Sequence, residues 1–379
     1  MKVLLLDQIA KVNYKYSYSL AQALSDSGTD IEMAIDLKQE DEGVSVKRYR
    51  LFNTDEKNVG KIKKMINYIS SYRKIGKIIK ADGITVLHTQ WVIFSPVDYY
   101  FLNKFKKKNC VKLITTVHDI LPFNEKFYDK CFHKKIYELS DSIIVQAQQN
   151  LERINSIFNN LQDKTFMIPH GHFLKYANLI DKDKARDVLG ISKDKFVLLF
   201  FGQIKKVKGV DLLLKAMANI YKKRDDIYLV VAGSVWKDDR EGYEQLIDEL
   251  NIREKIKWDI RYIPDDEVKF FYSAADVCVL PYTDVYQSGV IQLVYAYKKA
   301  AVASKLPAFT QFVKEDETGY LAEINDVDSL QAAVEKAYNN KANLNRMGEL
   351  GHSLIDAELG WDKIAKQVQE LYLEDKKGV

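Results

Sequence analysis

The residues best equipped for chemistry in this chain form a glycine-framed run of lysines, Gly202-Gln203-Ile204-Lys205-Lys206-Val207-Lys208-Gly209. The run follows an apolar stretch, Phe196 to Phe201, and precedes an amphipathic one, Val210 to Tyr221. A strand that ends at Gly202, turns tightly and enters a helix at Gly209 gathers backbone N–H groups and cations at one spot, and that spot suits a diphosphate. A lysine about 4 Å from a phosphate oxygen contributes about 4 kcal/mol at an effective dielectric near 20. Taken alone, a lysine-rich surface turn is the simpler reading.

A second segment repeats the logic. The apolar run Val277 to Leu280 breaks at Pro281-Tyr282, a polar loop closes on Gln287-Ser288-Gly289, and a helical stretch beginning near Val290 leads into Ala300 to Ser304. Gly289 sits at the mouth of that helix, where backbone N–H groups again suit a phosphate. Gln287 and Ser288 add an amide and a hydroxyl that donate hydrogen bonds. In the first half, Thr115-Thr116-Val117-His118-Asp119-Ile120-Leu121-Pro122 carries His118 off the end of a strand. Asp119 either orients that histidine or caps the following turn. Two other strand ends carry candidates, Pro169-His170-Gly171 and His88-Thr89-Gln90-Trp91, with Gly171 read as a turn former and Trp91 as either a ligand platform or a core residue. Asn13, Tyr14 and Tyr16 occupy the loop after the first strand. Asp181-Lys182-Asp183 and Asp326-Val327-Asp328 have the spacing of metal triplets, but one lies in a linker and the other starts a helix, so capping explains both and no metal is expected.

The elements that position these groups alternate. Val3 to Leu6, Ile31 to Ile35, Ile84 to His88, Val111 to Val117 and Ser142 to Val145 read as strands, with helical patterns such as Tyr16 to Asp26 and Phe127 to Leu139 between them. A second series comprises Phe196 to Phe201, Tyr228 to Ala232, Lys255 to Trp258, Val277 to Leu280 and Ala301 to Ala303. This predicts an α/β chain of two doubly wound, Rossmann-like domains with the site in a cleft at the carboxyl ends of the strands. The expected divisions are residues 1–175, 176–355 and a final segment 356–379, whose helix Trp361 to Glu374 needs a surface to cover. A length of 379 residues fits two domains, and 47% apolar with 29% charged residues excludes a disordered chain. There is no run of about 18 apolar residues to span a membrane. The first apolar stretch reads as a strand, not a leader, and three scattered cysteines point to a reducing cytoplasm. Net charge is only +4, yet Lys57, Lys61, Lys63, Lys64, Arg73, Lys74, Lys77 and Lys80 cluster without an acidic residue on a helix-periodic stretch. Such a helix either presents a solvated face or lies on an anionic membrane. No nucleic-acid motif accompanies it, so nucleic acid is not an expected partner.

The order Gly202…Lys208-Gly209, Val230-Val231-Ala232-Gly233, Tyr262-Ile263-Pro264…Glu267, Ala274-Ala275-Asp276-Val277…Pro281-Tyr282, Gly289 and Glu317-Thr318-Gly319-Tyr320 resembles family 4 glycosyltransferases. That resemblance implies a GT-B fold and retaining transfer of a hexose from a nucleotide sugar, UDP favoured and GDP possible, without a bound cofactor. The acceptor is then a hydroxyl of a glycan or lipid-linked molecule, as in bacterial surface polysaccharide synthesis on the inner face of the plasma membrane. Lys208 stands at the family's diphosphate lysine and Gln203 where an arginine is usual, leaving Lys205 or Lys206, with the backbone of Val207 or Gly209, to supply charge. Gly202, Gly233, Tyr262, Ile263, Tyr282 and Gln287 to Val290 fall on the donor side. His118 matches a histidine beside the transferred sugar, and Asn13, Tyr16, Trp91, Asp119 and His170 fall on the acceptor side. Two family glutamates separated by seven residues are replaced by Tyr286 and Val294, and Gln287-Ser288-Gly289 resembles the loop of one branch. An unreplaced ribose contact costs roughly 1–3 kcal/mol. Loss of both glutamates also opens the alternative of a catalytically silent subunit that binds a glycan or partners an active transferase.

Overall fold

The computed structural model describes residues 1–9, 14–39, 43–54, 60–122, 124–236, 238–285 and 289–374. The chain divides into two compact units, Met1–Gly171 with Leu359–Val379, and His172–Glu358. In the first unit the order is β1 (Lys2–Asp7), α1 (Tyr14–Asp26), β2 (Asp30–Asp36), β3 (Lys47–Phe52), α2 (Lys61–Ala81), β4 (Val86–Thr89), α3 (Ser95–Asn109), β5 (Lys112–Val117), α4 (Asp129–Leu139), β6 (Ser142–Val145), α5 (Gln148–Ile157) and β7 (Thr165–Met167). Among the described residues its strands form one parallel sheet in the order β3-β2-β1-β4-β5-β6-β7.

The second unit runs α6 (Lys182–Leu189), β8 (Phe196–Phe201), α7 (Val210–Tyr221), β9 (Ile227–Ala232), α8 (Arg240–Glu249), β10 (Ile256–Asp259), α9 (Asp265–Ala274), β11 (Val277–Leu280), α10 (Gly289–Ala296), β12 (Ala300–Ser304), α11 (Pro307–Thr310), β13 (Gly319–Ala322), α12 (Val327–Asn339) and α13 (Leu344–Leu359). Its parallel sheet has the order β10-β9-β8-β11-β12-β13. The last helix, α14 (Trp361–Leu373), belongs to the first unit and packs on α1.

The strands are apolar on both faces because both faces are covered. In β1, Leu4 and Leu6 pack with Tyr68, Tyr72 and Ile75 of α2, while Val3 and Leu5 pack with Tyr16 and Leu20 of α1 and with Ile364 and Val368 of α14. Alternate residues of one strand thus feed two cores, as its two-residue period requires. Each large side chain so buried contributes roughly 1.5–3 kcal/mol. In both sheets the strand order reverses beside the first strand, between β1 and β4 and between β8 and β11. Chains leaving such neighbours diverge at their carboxyl ends and open a crevice there.

Two strands escaped the sequence reading, β3 and β13, and β7 was expected only through the strand end at Pro169-His170-Gly171. β3 is an edge strand half of whose sequence, KRYRLF, is charged, and its Lys47 reaches across to Glu32 at 3.1 Å. β7 and β13 are only three and four residues long. Both aspartate triplets cap helices: Asp181 accepts from the Lys184 N–H at 3.0 Å and Asp326 from the Ser329 N–H at 2.9 Å.

Gly171 serves a purpose other than the turn expected of it. A Cβ there would lie 2.4 Å from the Trp361 indole, so glycine is what lets α14 begin flat against this strand end. Gly171→Ala is expected to cost about 2–3 kcal/mol through overpacking, read as a lower urea midpoint. An unchanged midpoint would mean that Trp361 moves aside at no cost.

Candidate active site

In the second unit, three glycines remove side chains where strand ends meet. Gly202 (φ 123°) and Gly233 (φ 143°) follow β8 and β9, and a Cβ on Gly233 would sit 2.0 Å from the Gly202 carbonyl oxygen. Gly209 (φ 64°) precedes α7, and a Cβ there would sit 1.9 Å from the Pro281 carbonyl oxygen. The Thr283 N–H also donates to the Val207 carbonyl at 2.9 Å. The lysine loop is therefore clamped against the end of β11.

The clamp sets where the three lysines go. Lys208 Nζ stands 3.7 Å from the centroid of the Tyr282 ring, which is itself buried. Burial, with a smaller push from Lys205, lowers the Lys208 pKa to about 8. Lys205 lies over Trp236, 4.1 Å from the ring centroid. Lys206 pairs with Asp211 at 2.8 Å, so much of its charge is already answered within the loop. Lys205 and Lys208 rest on π faces, which an anion can displace more readily than a carboxylate partner. Trp236 was not anticipated, because a lone tryptophan in a loop carries no motif.

The other expected donor-side residues are placed as follows. Gln203 is exposed, Tyr262 is strongly exposed at 74%, and Ile263 is buried. Val290 comes within 3.8 Å of where a Gly202 side chain would begin. Gly289 opens α10 with room for a side chain, its nearest neighbour being Phe173 at 3.6 Å, so packing alone does not demand glycine. Gln287 and Ser288, like Tyr286, Asn13 and Lys57, lie outside the described residues. Val294 is fully buried and carries no polar group, so it cannot supply a hydrogen bond to a ribose. Gln292 is the buried polar residue of α10, and its Oε1 has no partner among the described residues.

In the first unit a cavity of about 270 Å³ opens at the carboxyl ends of β1, β4 and β5. His118, Asp119, Trp91 and Gln90 line it together with Thr115, Thr116, His133, Tyr137 and apolar Ile9, Val92, Ile93 and Pro122. Trp91 stacks on the His118 ring, with centroids 4.5 Å apart and planes at 27°. Two glutamines grip the imidazole: Nε2 faces Gln90 Oε1 at 3.0 Å and Nδ1 faces Gln146 Oε1 at 3.3 Å. Burial, then His170, pushes the His118 pKa down to about 3, so the ring is neutral. Asp119 beside it is exposed. Sequence reasoning overlooked His133 and Tyr137 in this lining, and Gln146 as a partner of His118, because none of them belongs to a motif.

Two acceptor-side expectations are corrected. Tyr16 does not line the cavity; it is fully buried and packs against His118, His170 and Trp361 at 5.3, 4.7 and 5.5 Å between centroids. His170 is also buried, faces its neighbour's carbonyl at 2.6 Å through Nδ1, and has a pKa lowered by burial to about 4. Tyr16 lies in the first turn of α1, which faces inward, and its ring packs against both His118 and His170.

Residues 2–147 match the family described as Glycosyl transferase 4-like, and residues 181–353 match Glycosyl transferases group 1. The chain belongs to family 4 of the glycosyltransferases, with the GT-B fold. Among similar proteins is a lipopolysaccharide 1,2-N-acetylglucosaminetransferase of Salmonella typhimurium, 29% identical over 213 residues, which are 54% of this chain and 55% of that protein. The chain spans about half to three fifths of the length of the curated relatives it matches first. Two solved structures share its fold across nearly the whole chain. Sucrose-phosphate synthase from Thermosynechococcus elongatus has a TM-score of 0.72 at 20% identity, covering 98% of both chains. Anabaena HepE in complex with UDP has a TM-score of 0.70 at 15% identity, covering 98% of this chain and 99% of that one.

For this family 4 member, the state of Lys208 can be measured directly. In carbon-13 spectra of the dimethylated protein, one lysine resonance is expected to titrate near pH 8 and to be missing from Lys208→Arg. A Lys208 amine that keeps its charge to about pH 10, as an unperturbed lysine does, would contradict the burial described here.

Proposed function

We propose that the protein transfers a hexose from a nucleotide sugar to a hydroxyl of a glycan or lipid-linked acceptor, with retention of anomeric configuration and without a metal. The observation that carries this reading is the clamped lysine loop, which sets Lys208 and Lys205 on aromatic faces beside the β8–β11 crevice. A diphosphate arriving there draws Lys208 off Tyr282 and restores its full basicity, so leaving-group charge is met by a cation already desolvated. UDP is the favoured nucleotide, with GDP the second choice; HepE, of the same fold, was solved with UDP. His118, neutral and gripped by two amides, orients a sugar hydroxyl and is too weak a base to take its proton. The departing phosphate is the base that remains, consistent with displacement on one face of the sugar. The Gln287-Ser288-Gly289 loop is read as that of a variant branch, with Gln292 a candidate for the ribose contact that Val294 cannot make.

The competing reading, a silent subunit that binds a glycan or partners an active transferase, is motivated by the missing glutamates. Thermal-shift screening against UDP-, GDP- and dTDP-sugars separates the two: a stabilising nucleotide, lost in Lys208→Ala, supports the transferase, and no response from any of them defeats it. Lys208 must be protonated to meet the diphosphate, and in the unliganded protein its pKa is about 8. Nucleotide affinity should therefore be level below that pH and fall up to tenfold per unit above it. Lys208→Arg, charged at every pH, should abolish that break; a break that survives in the variant would assign it to another group.

We further propose that the protein works as a peripheral cytoplasmic enzyme of surface polysaccharide synthesis, lying on an anionic membrane through α2. The outer face of α2 exposes Ile62 (79%) and Ile66 (60%) beside Lys61, Lys63, Arg73, Lys74, Lys77 and Lys80. No helix among the described residues is long and apolar enough to cross a membrane. Each cation near such a surface contributes about 1 kcal/mol. Co-sedimentation with phosphatidylglycerol vesicles is expected, with a loss of at least tenfold in Arg73→Glu/Lys77→Glu and none with phosphatidylcholine. Equal binding to both lipids, or none to either, would reject the membrane role while leaving the transferase reading intact.

A further inference from the structure

We infer that the membrane-facing surface of the first unit extends beyond α2 to α4, and that Phe127 is the side chain that enters the bilayer. The inference rests on the membrane reading above and extends it. Phe127 stands two residues before α4 and is 99% exposed, so almost none of its ring is spent on packing. A single exposed apolar residue is ordinary. This one begins a strip of rings that crosses from α4 to α3. Phe127 meets Tyr128 edge-on with centroids 5.1 Å apart, Tyr128 meets Phe132 at 6.4 Å, and Phe132 meets Tyr99 at 5.9 Å.

Cations accompany the strip along its length. Lys126 Nζ lies 5.6 Å from the Tyr128 centroid, and Lys135 Nζ lies 5.1 Å from Phe132 and 5.7 Å from Tyr99. Lys130 and Lys134 are exposed on α4, as are Lys104, Lys107 and Lys108 on α3. Of the four acids on α3, α4 and residues 124–128, Asp98 and Asp129 are buried and Glu138 faces Lys134 at 3.7 Å, which leaves Glu125. α2 packs on α3 and α3 on α4, over the same side of the sheet, so their outward cations belong to one face. Aromatic rings set among lysines suit the boundary of an anionic bilayer, where the ring enters the apolar side and the amines stay with the headgroups. A neutral glycan also stacks on rings, but it gives the cations no purpose, and the rings of Tyr128, Phe132 and Tyr99 already carry lysines. On its inner side α4 lines the His118 cavity with His133 and Tyr137, and the stretch leading to Phe127 lines it with Asp119 and Pro122. A bilayer at Phe127 therefore lies beside that cavity, which favours the lipid-linked acceptor over a free glycan.

Phe127→Trp supplies the probe. With phosphatidylglycerol vesicles its emission is expected to shift to the blue and to be quenched by lipids brominated on the acyl chain. The unaltered protein, with Trp91, Trp236, Trp258 and Trp361, gives the background to subtract. Phe127→Ala should weaken vesicle binding about tenfold and leave the urea midpoint unchanged, because the ring is exposed. Lys130→Glu/Lys134→Glu should weaken it at least tenfold. An unquenched Trp at position 127 in protein that co-sediments, full binding by Phe127→Ala, or a blue shift produced by dextran in place of vesicles would each overturn the inference. Arg73→Glu/Lys77→Glu reads α2 separately. Binding lost there but kept in Phe127→Ala removes the α4 contact and spares the α2 one, and the converse result spares this contact alone. Absence of vesicle binding altogether defeats both.

Discussion

The second unit is organised around a place where backbone meets backbone with no side chain between. Gly209 lies so close to the Pro281 carbonyl that any Cβ would overlap it, and its left-handed φ of 64° would strain any other residue. That contact locks the loop after β8 to the loop after β11, the two strands that flank the reversal of sheet order. From it follow the position of Lys208 over Tyr282, the burial that lowers its pKa, and the start of α7. The cation is held by weak π contact and not by a carboxylate, so the site keeps an unspent charge. Lys206 shows the alternative outcome: one residue pair away, it has settled on Asp211.

The first unit handles polar groups in the opposite way. His88, His118 and His170 are all held neutral by burial, and each has its ring nitrogens directed by fixed neighbours. Neutral imidazoles in a dry setting serve as directional hydrogen-bonding groups, and their orientation matters more than their charge. A cavity lined by one of them, His118, with a tryptophan and several aliphatics favours a ligand of hydroxyls and ring faces over an anion.

The sequence was most legible where residue type answers a backbone demand. β8 and β11 were read to the residue, as was α7, because an apolar run bounded by glycine or proline leaves little latitude. Gly202, Gly209 and Gly233 were found for the same reason. What stayed hidden was whatever depends on neighbours distant in the chain. The charged edge strand β3 looks polar because one edge of it faces water and lysine forms ion pairs there. Tyr16 was assigned to a pocket because it follows β1, yet the first turn of α1 faces inward and buries it under His118. Gln90 and Gln146 carry no motif at all; only the meeting of β4, β5 and β6 gives them a shared imidazole.

The basic helix α2 carries the argument furthest, since its two faces have different work. Its sequence was read for the outer, lysine-rich side. On the inner side, Tyr68 and Tyr72 both donate to Asp98 at 2.7 Å, and the other oxygen of that carboxylate accepts from the N–H groups of Ile93 and Phe94 at 2.8 and 2.9 Å. Burial raises the Asp98 pKa to about 6 despite these four donors, so the network is held by hydrogen bonds in a dry setting and not by an opposing charge. Tyr72 also accepts from Gln8, whose amide donates in turn to the Trp91 carbonyl. Trp91, Val92 and Ile93 are the wall of the cavity that holds His118. The same helix whose outer face carries exposed cations and isoleucines is therefore tied, through one buried carboxylate, to the backbone that walls the His118 cavity. A rotation of α2 would disturb that wall, because one oxygen of Asp98 binds the helix and the other binds the wall.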